Sequence, residues 1–170
     1  MTAAVTVRPA TIEDAPALAL LVAALRAHQG DPIGHLNEAA LRRDGFGEDP
    51  EFAILIAERQ QRPIGYALFA ESYEPAFAAR GLYLADLYVR PEARRSGAGR
   101  ALVAAVATEA RRRERRFVWW TSLAANAEAH AFYAALGAIT QEIRAHALFL
   151  DAFDRLADAQ PSPVAAPRSA

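Results

Sequence analysis

Arg94-Arg95-Ser96-Gly97-Ala98-Gly99-Arg100 stands between an apolar run, Leu82 to Val89, and the helix-like Ala101-Leu102-Val103-Ala104-Ala105-Val106. A strand, a glycine turn and a helix in that order form a cradle for an anion. Two glycines one residue apart let successive backbone N–H groups turn toward one point, and the helix adds the free N–H groups of its first turn and the positive end of its dipole. Charge-assisted bonds to such donors contribute roughly 1.5–3 kcal/mol each, so a few of them could hold a diphosphate without any lysine. The loop lacks the Gly-Lys-Ser/Thr end of a P-loop and the third glycine of a dinucleotide fingerprint. What remains is R-x-x-G-x-G, which a ligand-free turn would also satisfy, so the rest of the chain has to decide.

Outward from this turn, the pattern resolves into short strands and amphipathic helices. Val5-Thr6-Val7-Arg8 alternates as a strand, and Thr11 caps a helix that runs to about His28, with Asp14 three residues on. A shorter helix from about Asn37 to Arg43 is broken by Asp44-Gly45-Phe46-Gly47-Glu48-Asp49-Pro50. Phe52 to Glu58 and Ile64 to Ala70 read as a hairpin turning at Arg59 to Pro63, and Gly81 to Val89 as a third long strand. After the helix from Gly97 to about Glu114 come a strand at Phe117 to Ser122, a helix from Ala127 to Leu136 closed by Gly137, and strands near Ala138-Ile139-Thr140 and Ala147-Leu148-Phe149-Leu150. The predicted order is βααβββαβαββ in one domain over residues 1–160. A tail rich in Pro, Ala and Ser over 161–170 reads as disordered.

Composition narrows the function classes. With 170 residues and 53% apolar content the chain is long enough for one real core. A net charge of −1 provides no general basic footprint for nucleic acid, and no apolar run approaches the roughly 20 residues of a membrane span, so a soluble protein is expected. There is no cysteine, hence no disulfide, thiol nucleophile or cysteine metal site; the four histidines show no metal-ligand spacing, and no metal is expected. The first residues lack a signal-peptide pattern, which makes cytoplasmic the expected location. All 19 basic residues are arginine. The cluster Arg111-Arg112-Arg113-Glu114-Arg115-Arg116 falls at a predicted helix C-terminus, where positive charge complements the dipole.

Three segments together resemble the GCN5-related N-acetyltransferases: Leu84-Ala85-Asp86-Leu87-Tyr88-Val89-Arg90-Pro91, the Arg94 to Gly99 loop, and Asn126 followed seven residues later by Tyr133 within Phe132-Tyr133-Ala134-Ala135-Leu136-Gly137-Ala138. The resemblance covers about residues 5 to 150. Within that superfamily, Leu41-Arg42-Arg43-Asp44-Gly45-Phe46-Gly47 followed by Ile56-Ala57-Glu58 is similar to the diamine, polyamine and thialysine branch. The resemblance implies an α/β fold whose mixed, mostly antiparallel sheet has two central parallel strands that splay apart, flanked by helices. It also implies acetyl-coenzyme A as cosubstrate, a primary amine of a small molecule as acceptor, direct attack in a ternary complex, and a homodimer.

Carried onto this chain, the resemblance assigns residue roles. Backbone groups at Leu87, Tyr88 and Val89 would take the place of a strand partner for pantetheine, and Arg94, Arg95, Ser96, Gly97, Ala98, Gly99 and Arg100 would hold the diphosphate. Asn126 resembles the residue that caps the next helix and bonds the pantetheine arm, though a plain N-cap needs the same side chain. Tyr133 stands where the family places its general acid, and a phenol with a pKa of about 10 suits a departing thiolate. The base is less determined. The branch has a glutamate before its strand aspartate, whereas this chain has Ala85 before Asp86, and strict alternation puts those two on opposite faces. Asp86 is either a catalytic and substrate-binding group or a buried hydrogen-bonding one; Glu71, Glu74, His130 and His146 are further candidates for the base. Phe77 and Glu74 are candidate substrate contacts, with Asp31, Glu38 and Glu71 as an acidic rim. The branch's later Glu and Trp are replaced near Arg144 and His146, which favours a smaller amine or an amino acid over a long polycation. Readings outside this branch are an aminoglycoside-like or protein N-terminal acceptor, and a sensor that binds acetyl-coenzyme A without turnover.

Overall fold

Four strands run antiparallel in sequence order, β1 (Val5–Pro9), β2 (Ala53–Arg59), β3 (Arg62–Glu74) and β4 (Ala79–Val89), and a fifth, β5 (Val118–Trp119), joins the far side of β4 in parallel. The mixed, mostly antiparallel sheet with flanking helices is the expected fold class. The computed structural model describes residues 4–159, so the predicted disordered tail lies outside the described residues. The chain divides into two compact units, Met1–His130 and Ala131–Ala170.

In the first unit each sheet face is covered by a helix whose apolar stripe fits it. Helix α1 (Ala15–Gln29) buries Ala15, Leu18, Leu21, Val22 and Leu25 against Ile54, Ile56, Tyr66, Leu68 and Tyr88. A short helix α2 (Glu38–Ala40), continued by a wider turn at Leu41–Gly45, adds Leu41 to this side; the Asn37 side chain caps α2 by accepting the Ala40 N–H at 3.0 Å. Helix α3 (Ala98–Arg112) covers the opposite face through Ala98, Leu102, Val106 and Ala110. Those four are spaced four residues apart, and they meet Leu55, Ala57, Ala67, Phe69, Leu82 and Leu84.

An ion network fastens β1 to the start of α1. Arg8 donates to both Asp14 carboxylate oxygens, at 2.7 and 2.8 Å, and to Glu58 on β2 at 2.6 Å; the Thr11 N–H also donates to Asp14 at 2.8 Å. The Arg8 hydrogen bonds hold the Asp14 carboxyl below the ordinary carboxylate range. A depressed folded-state pKa gives stability that is present above the unfolded value and lost as pH falls through the folded one. Asp14→Asn is therefore expected to lower unfolding free energy by about 1–2 kcal/mol at pH 7. In urea titrations the gap to wild type should begin to narrow below about pH 4 and go on narrowing as pH falls; a gap that stays constant from about pH 7 to about pH 2 would contradict the ion-pair account.

The chain departs from its predicted order after β5. Paired residues in β5 are only Val118 and Trp119, against the predicted 117–122, and no strand forms at 138–140 or 147–150. Instead, in the second unit, Leu150–Asp158 is a helix, α5. Its sequence explains this: Leu150, Phe153 and Leu156 recur every third residue, with Asp151 and Asp154 between them, a helical period and not the alternation of a strand. Helix α4 (Ala127–Ala135) forms as predicted.

Candidate active site

The central feature is an interrupted strand edge. β4 pairs with β5 only through Leu82 with Val118 and Tyr83 with Trp119, so residues 84–89 have no strand partner on that side among the described residues. This is the splay that the resemblance implied. Chain direction then carries the open edge into a turn at Pro91–Ala93 and the glycine loop.

In that loop Gly97 adopts φ 87°, a left-handed conformation that other residues enter at a cost, and nothing lies within 4 Å of where a Cβ would project. Gly97 is the N-cap of α3, and no side chain caps the helix. The first intrahelical bond runs from the Ala101 N–H to the Gly97 carbonyl, so Ala98 and Gly99 occupy the first turn, where N–H groups have no carbonyl four residues back. Buried Ala93 and Ala98 fix the loop in the core at either end. Arg95 and Arg100 are exposed beside it, and Arg94 reaches back to the Val89 carbonyl and to Glu128, each at 3.4 Å. Open space, a left-handed glycine, a helix N-terminus and three arginines fit a diphosphate.

A bulge re-aims β4 before the open edge begins. Leu68 pairs with Asp86 and Phe69 with Leu84, leaving Ala85 as an extra residue. Leu82 and Leu84 therefore pack on the α3 face while Tyr88 packs on the α1 face, where strict alternation would keep all three together. Asp86, which plain alternation would aim the same way as Leu84, is turned toward α1. Its carboxylate is 6% exposed and is already engaged: Arg26 Nη2 donates to both oxygens, at 2.7 and 2.5 Å, and the Tyr66 hydroxyl donates at 2.8 Å. Of the two readings open for Asp86, the geometry matches the buried hydrogen-bonding one, since three of the roughly four acceptor positions of its carboxylate are taken by a cation and a phenol. Burial lifts the Tyr66 phenol well above its ordinary value, with the Asp86 charge adding to it, which keeps Tyr66 a donor. Burial opposes the charge on Arg26, but the Asp86 charge and hydrogen bond outweigh it and raise its pKa.

Arg26 also faces a cavity of about 340 Å³ between the second half of α1 and the segment leading into α2. Ala19, Val22, Ala23, Pro32 and Leu36 give it apolar walls; Arg26, His35 and Asn37 are its polar lining. Neither Arg26, Tyr66 nor His35 was singled out from the sequence. The one signal for Arg26 is that it follows Leu18, Val22 and Leu25 on the buried stripe of α1.

The other predicted residues scatter. Glu74 accepts the Ala76 N–H at 3.0 Å in the turn between β3 and β4, and Phe77 in that turn is 82% exposed. Seven residues of β4 separate this turn from Asp86, roughly 20 Å at about 3.3 Å per residue, so Glu74 and Phe77 do not join Asp86 in one substrate site. Glu71 is held by Arg115 at 2.6 Å and Arg113 at 3.2 Å, and the Arg115 hydrogen bond lowers its carboxyl, which makes it a weaker base. Those same pairs, with Glu109 on Arg112 and Arg113, explain the arginine cluster at the end of α3. Tyr88 has its side chain in the α1-face core and could offer a ligand only its backbone. Asn126 accepts the Ala129 N–H at 3.1 Å, which is the N-cap role. In the second unit the Tyr133 ring meets that of Phe132 at a tilt of 56° with centroids 5.3 Å apart, and burial raises its phenol, so it carries its proton at neutral pH. His130 and His146 are exposed. Among the described residues no group of three His, Asp or Glu side chains could hold a metal ion, and no helix is long and apolar enough to cross a membrane.

The model of the acetyltransferase (GNAT) family matches residues 17–138, which include β2 to β4, the Gly97 loop, α3 and Tyr133. The chain belongs to this family. Among relatives, it is similar to the thialysine N-epsilon-acetyltransferase of Bos taurus, 40% identical over 80 residues, 42% of this chain and 46% of that protein. It is 37% identical over 92 residues to the spermidine/spermine N(1)-acetyltransferase-like protein 1 of Homo sapiens, 49% of this chain and 13% of that one. It is 31% identical over 93 residues to the L-ornithine N5-acetyltransferase NATA1 of Arabidopsis thaliana, 54% of this chain and 41% of that one. The chain thus aligns with less than half the length of each of these relatives. Its fold is that of an integron cassette protein from the mobile metagenome of V. cholerae, with a TM-score of 0.77 at 22% identity, covering 91% of this chain and 98% of that one. As a GNAT member, the chain has its interrupted β4 edge and Gly97 loop where the family model matches.

Proposed function

We propose that this GNAT chain transfers the acetyl group of acetyl-coenzyme A to a primary amine of a small molecule, a polyamine, thialysine or another amino-acid-like amine. The observation that carries the reading is the continuity of the open β4 edge at residues 84–89 with the Gly97 loop, a strand-like surface for amides that leads directly to an anion cradle. Acetyl-coenzyme A supplies an activated thioester. The chain's own work is to bind and orient it through backbone groups at Leu87 and Val89 and through residues 94–100, to present the amine, and to move protons. The amine nitrogen bonds the acetyl carbon as the carbon–sulfur bond breaks; the nitrogen gives up a proton and the departing thiolate receives one from the Tyr133 phenol. Ala85 carries no carboxylate, so the amine's proton leaves by another route, through water or another side chain. A cytoplasmic homodimer completes the proposal, and sedimentation of the purified chain tests the dimer.

Thiol release from acetyl-coenzyme A, measured across spermidine, putrescine, thialysine, lysine, ornithine and aminoglycosides, is the deciding experiment. Amine-dependent release on one class establishes the reaction; tight binding without release on any of them points to the sensor reading. Separately, Gly97→Val is expected to weaken acetyl-coenzyme A binding at least tenfold by calorimetry, since a β-branched residue is disfavoured at this φ by about 1–2 kcal/mol and places methyl groups in the open space. Equal affinity would mean that the loop is only a turn.

A further inference from the structure

We infer that Arg26 and Asp31 bind the α-ammonium and α-carboxylate head of a zwitterionic acceptor, a diamino acid, an inference that rests on the acetyl-transfer reading above. The α1 helix ends in Gly30 at φ 76°, whose turn brings Asp31 back so that its N–H donates to the Arg26 carbonyl at 3.0 Å. The two side chains are left facing each other at 3.6 Å, an ion pair beyond hydrogen-bond distance. Arg26 is divided in use: Nη2 is fixed on buried Asp86, while among the described residues Nη1 meets only Gln29 at 3.1 Å and the half-exposed Asp31. Those partners sit at the surface and can exchange for a ligand at little cost.

A substrate carboxylate replacing Gln29 and Asp31 on Nη1 recovers a charge-assisted bond, and the α-ammonium then takes the Asp31 carboxylate that has been displaced. Each charge ends with a partner. The α-ammonium also lies near the carbonyl end of α1, where positive charge is favoured. A simple polyamine can satisfy Asp31 but has nothing to give Nη1, whose positive charge repels it. Beside this pair, the cavity lined by Ala19, Val22 and Ala23 gives room and apolar surface for an aliphatic arm. The bond from Arg26 to Asp86 holds the recognition pair one guanidinium away from β4, the strand whose edge is open.

The test compares each amino acid with its decarboxylated counterpart, L-ornithine against putrescine and L-lysine against cadaverine, for wild type and Asp31→Asn. Expected are a kcat/KM at least tenfold higher for the amino acids, and a KM for L-ornithine that rises at least tenfold in Asp31→Asn while acetyl-coenzyme A affinity stays the same. Putrescine and cadaverine used as well as the amino acids, or an unchanged KM in the variant, would overturn the inference while leaving acetyl transfer standing. If no amine in the panel releases thiol, the transfer reading fails on its own. Calorimetric titration of L-ornithine then decides the head-group site: millimolar or tighter binding that Asp31→Asn weakens at least tenfold supports it, and no binding to wild type overturns it.

Discussion

Tyr133→Phe is expected to slow acetyl transfer by a factor of about 10²–10⁴, the usual contribution of a positioned general acid, with acetyl-coenzyme A affinity within a factor of two or so of wild type. The reasoning starts from the leaving group. Negative charge builds on the sulfur as the carbon–sulfur bond breaks, and a donor placed at that sulfur lowers the barrier by neutralising it. Burial raises the Tyr133 phenol, so the proton is in place at neutral pH. Phenylalanine keeps the ring that packs on Phe132 and removes only the hydroxyl, which separates chemistry from folding. The measurement is single-turnover thiol release alongside calorimetric binding of acetyl-coenzyme A. A rate within threefold of wild type would remove Tyr133 from the chemistry, and a parallel loss of affinity would make it a binding residue instead.

Arg26→Ala should produce the largest loss of stability. Asp86 is 6% exposed, and two of its three donated bonds come from Arg26. Removing the arginine leaves a carboxylate in the core with only the Tyr66 hydroxyl, and breaking a buried pair from one side costs about 3–5 kcal/mol. Replacing both partners with apolar groups is much milder, because no charge is then stranded. Urea unfolding of Arg26→Ala, Asp86→Leu and the double variant should therefore give strong non-additivity, the double variant being more stable than Arg26→Ala alone. Additive losses, or a single-variant loss below about 1 kcal/mol, would show that Asp86 is solvated in solution. Because Arg26 also holds Asp86 in place, the acceptor test relies on Asp31→Asn and not on an Arg26 variant.

Local patterns were legible where one physical rule dominated. The i, i+4 run Ala98, Leu102, Val106, Ala110 makes α3 a helix with one buried face, and two short apolar runs, within Ala53–Arg59 and Arg62–Glu74, separated by a tight polar turn make a hairpin buried on both faces. Gly97 at the strand-to-helix turn was readable because few residues other than glycine accept its φ. The strands expected near 138–140 and 147–150 failed for the converse reason. Short apolar runs fit strand and helix alike, and only the threefold spacing of Leu150, Phe153 and Leu156 distinguishes them. Glu74 and Phe77 were grouped with Asp86 by the family pattern, yet a strand's length of backbone separates them.

By itself, then, the sequence determined the elements whose periodicity is local and the glycine turn between β4 and α3; the open strand edge and Tyr133 as a candidate acid came from the family resemblance. Tertiary structure alone decided which way Asp86 points and what it bonds. A single extra residue at Ala85 rotates the strand by one side-chain position, and no periodicity announces such a bulge in advance, because it is set by the register of β3 across the sheet. The partner it meets, Arg26, is 60 residues away along the chain. Their pairing depends on α1 packing across β3 and β4, a contact that hydrophobic burial creates and that nothing in either residue's neighbours in sequence encodes.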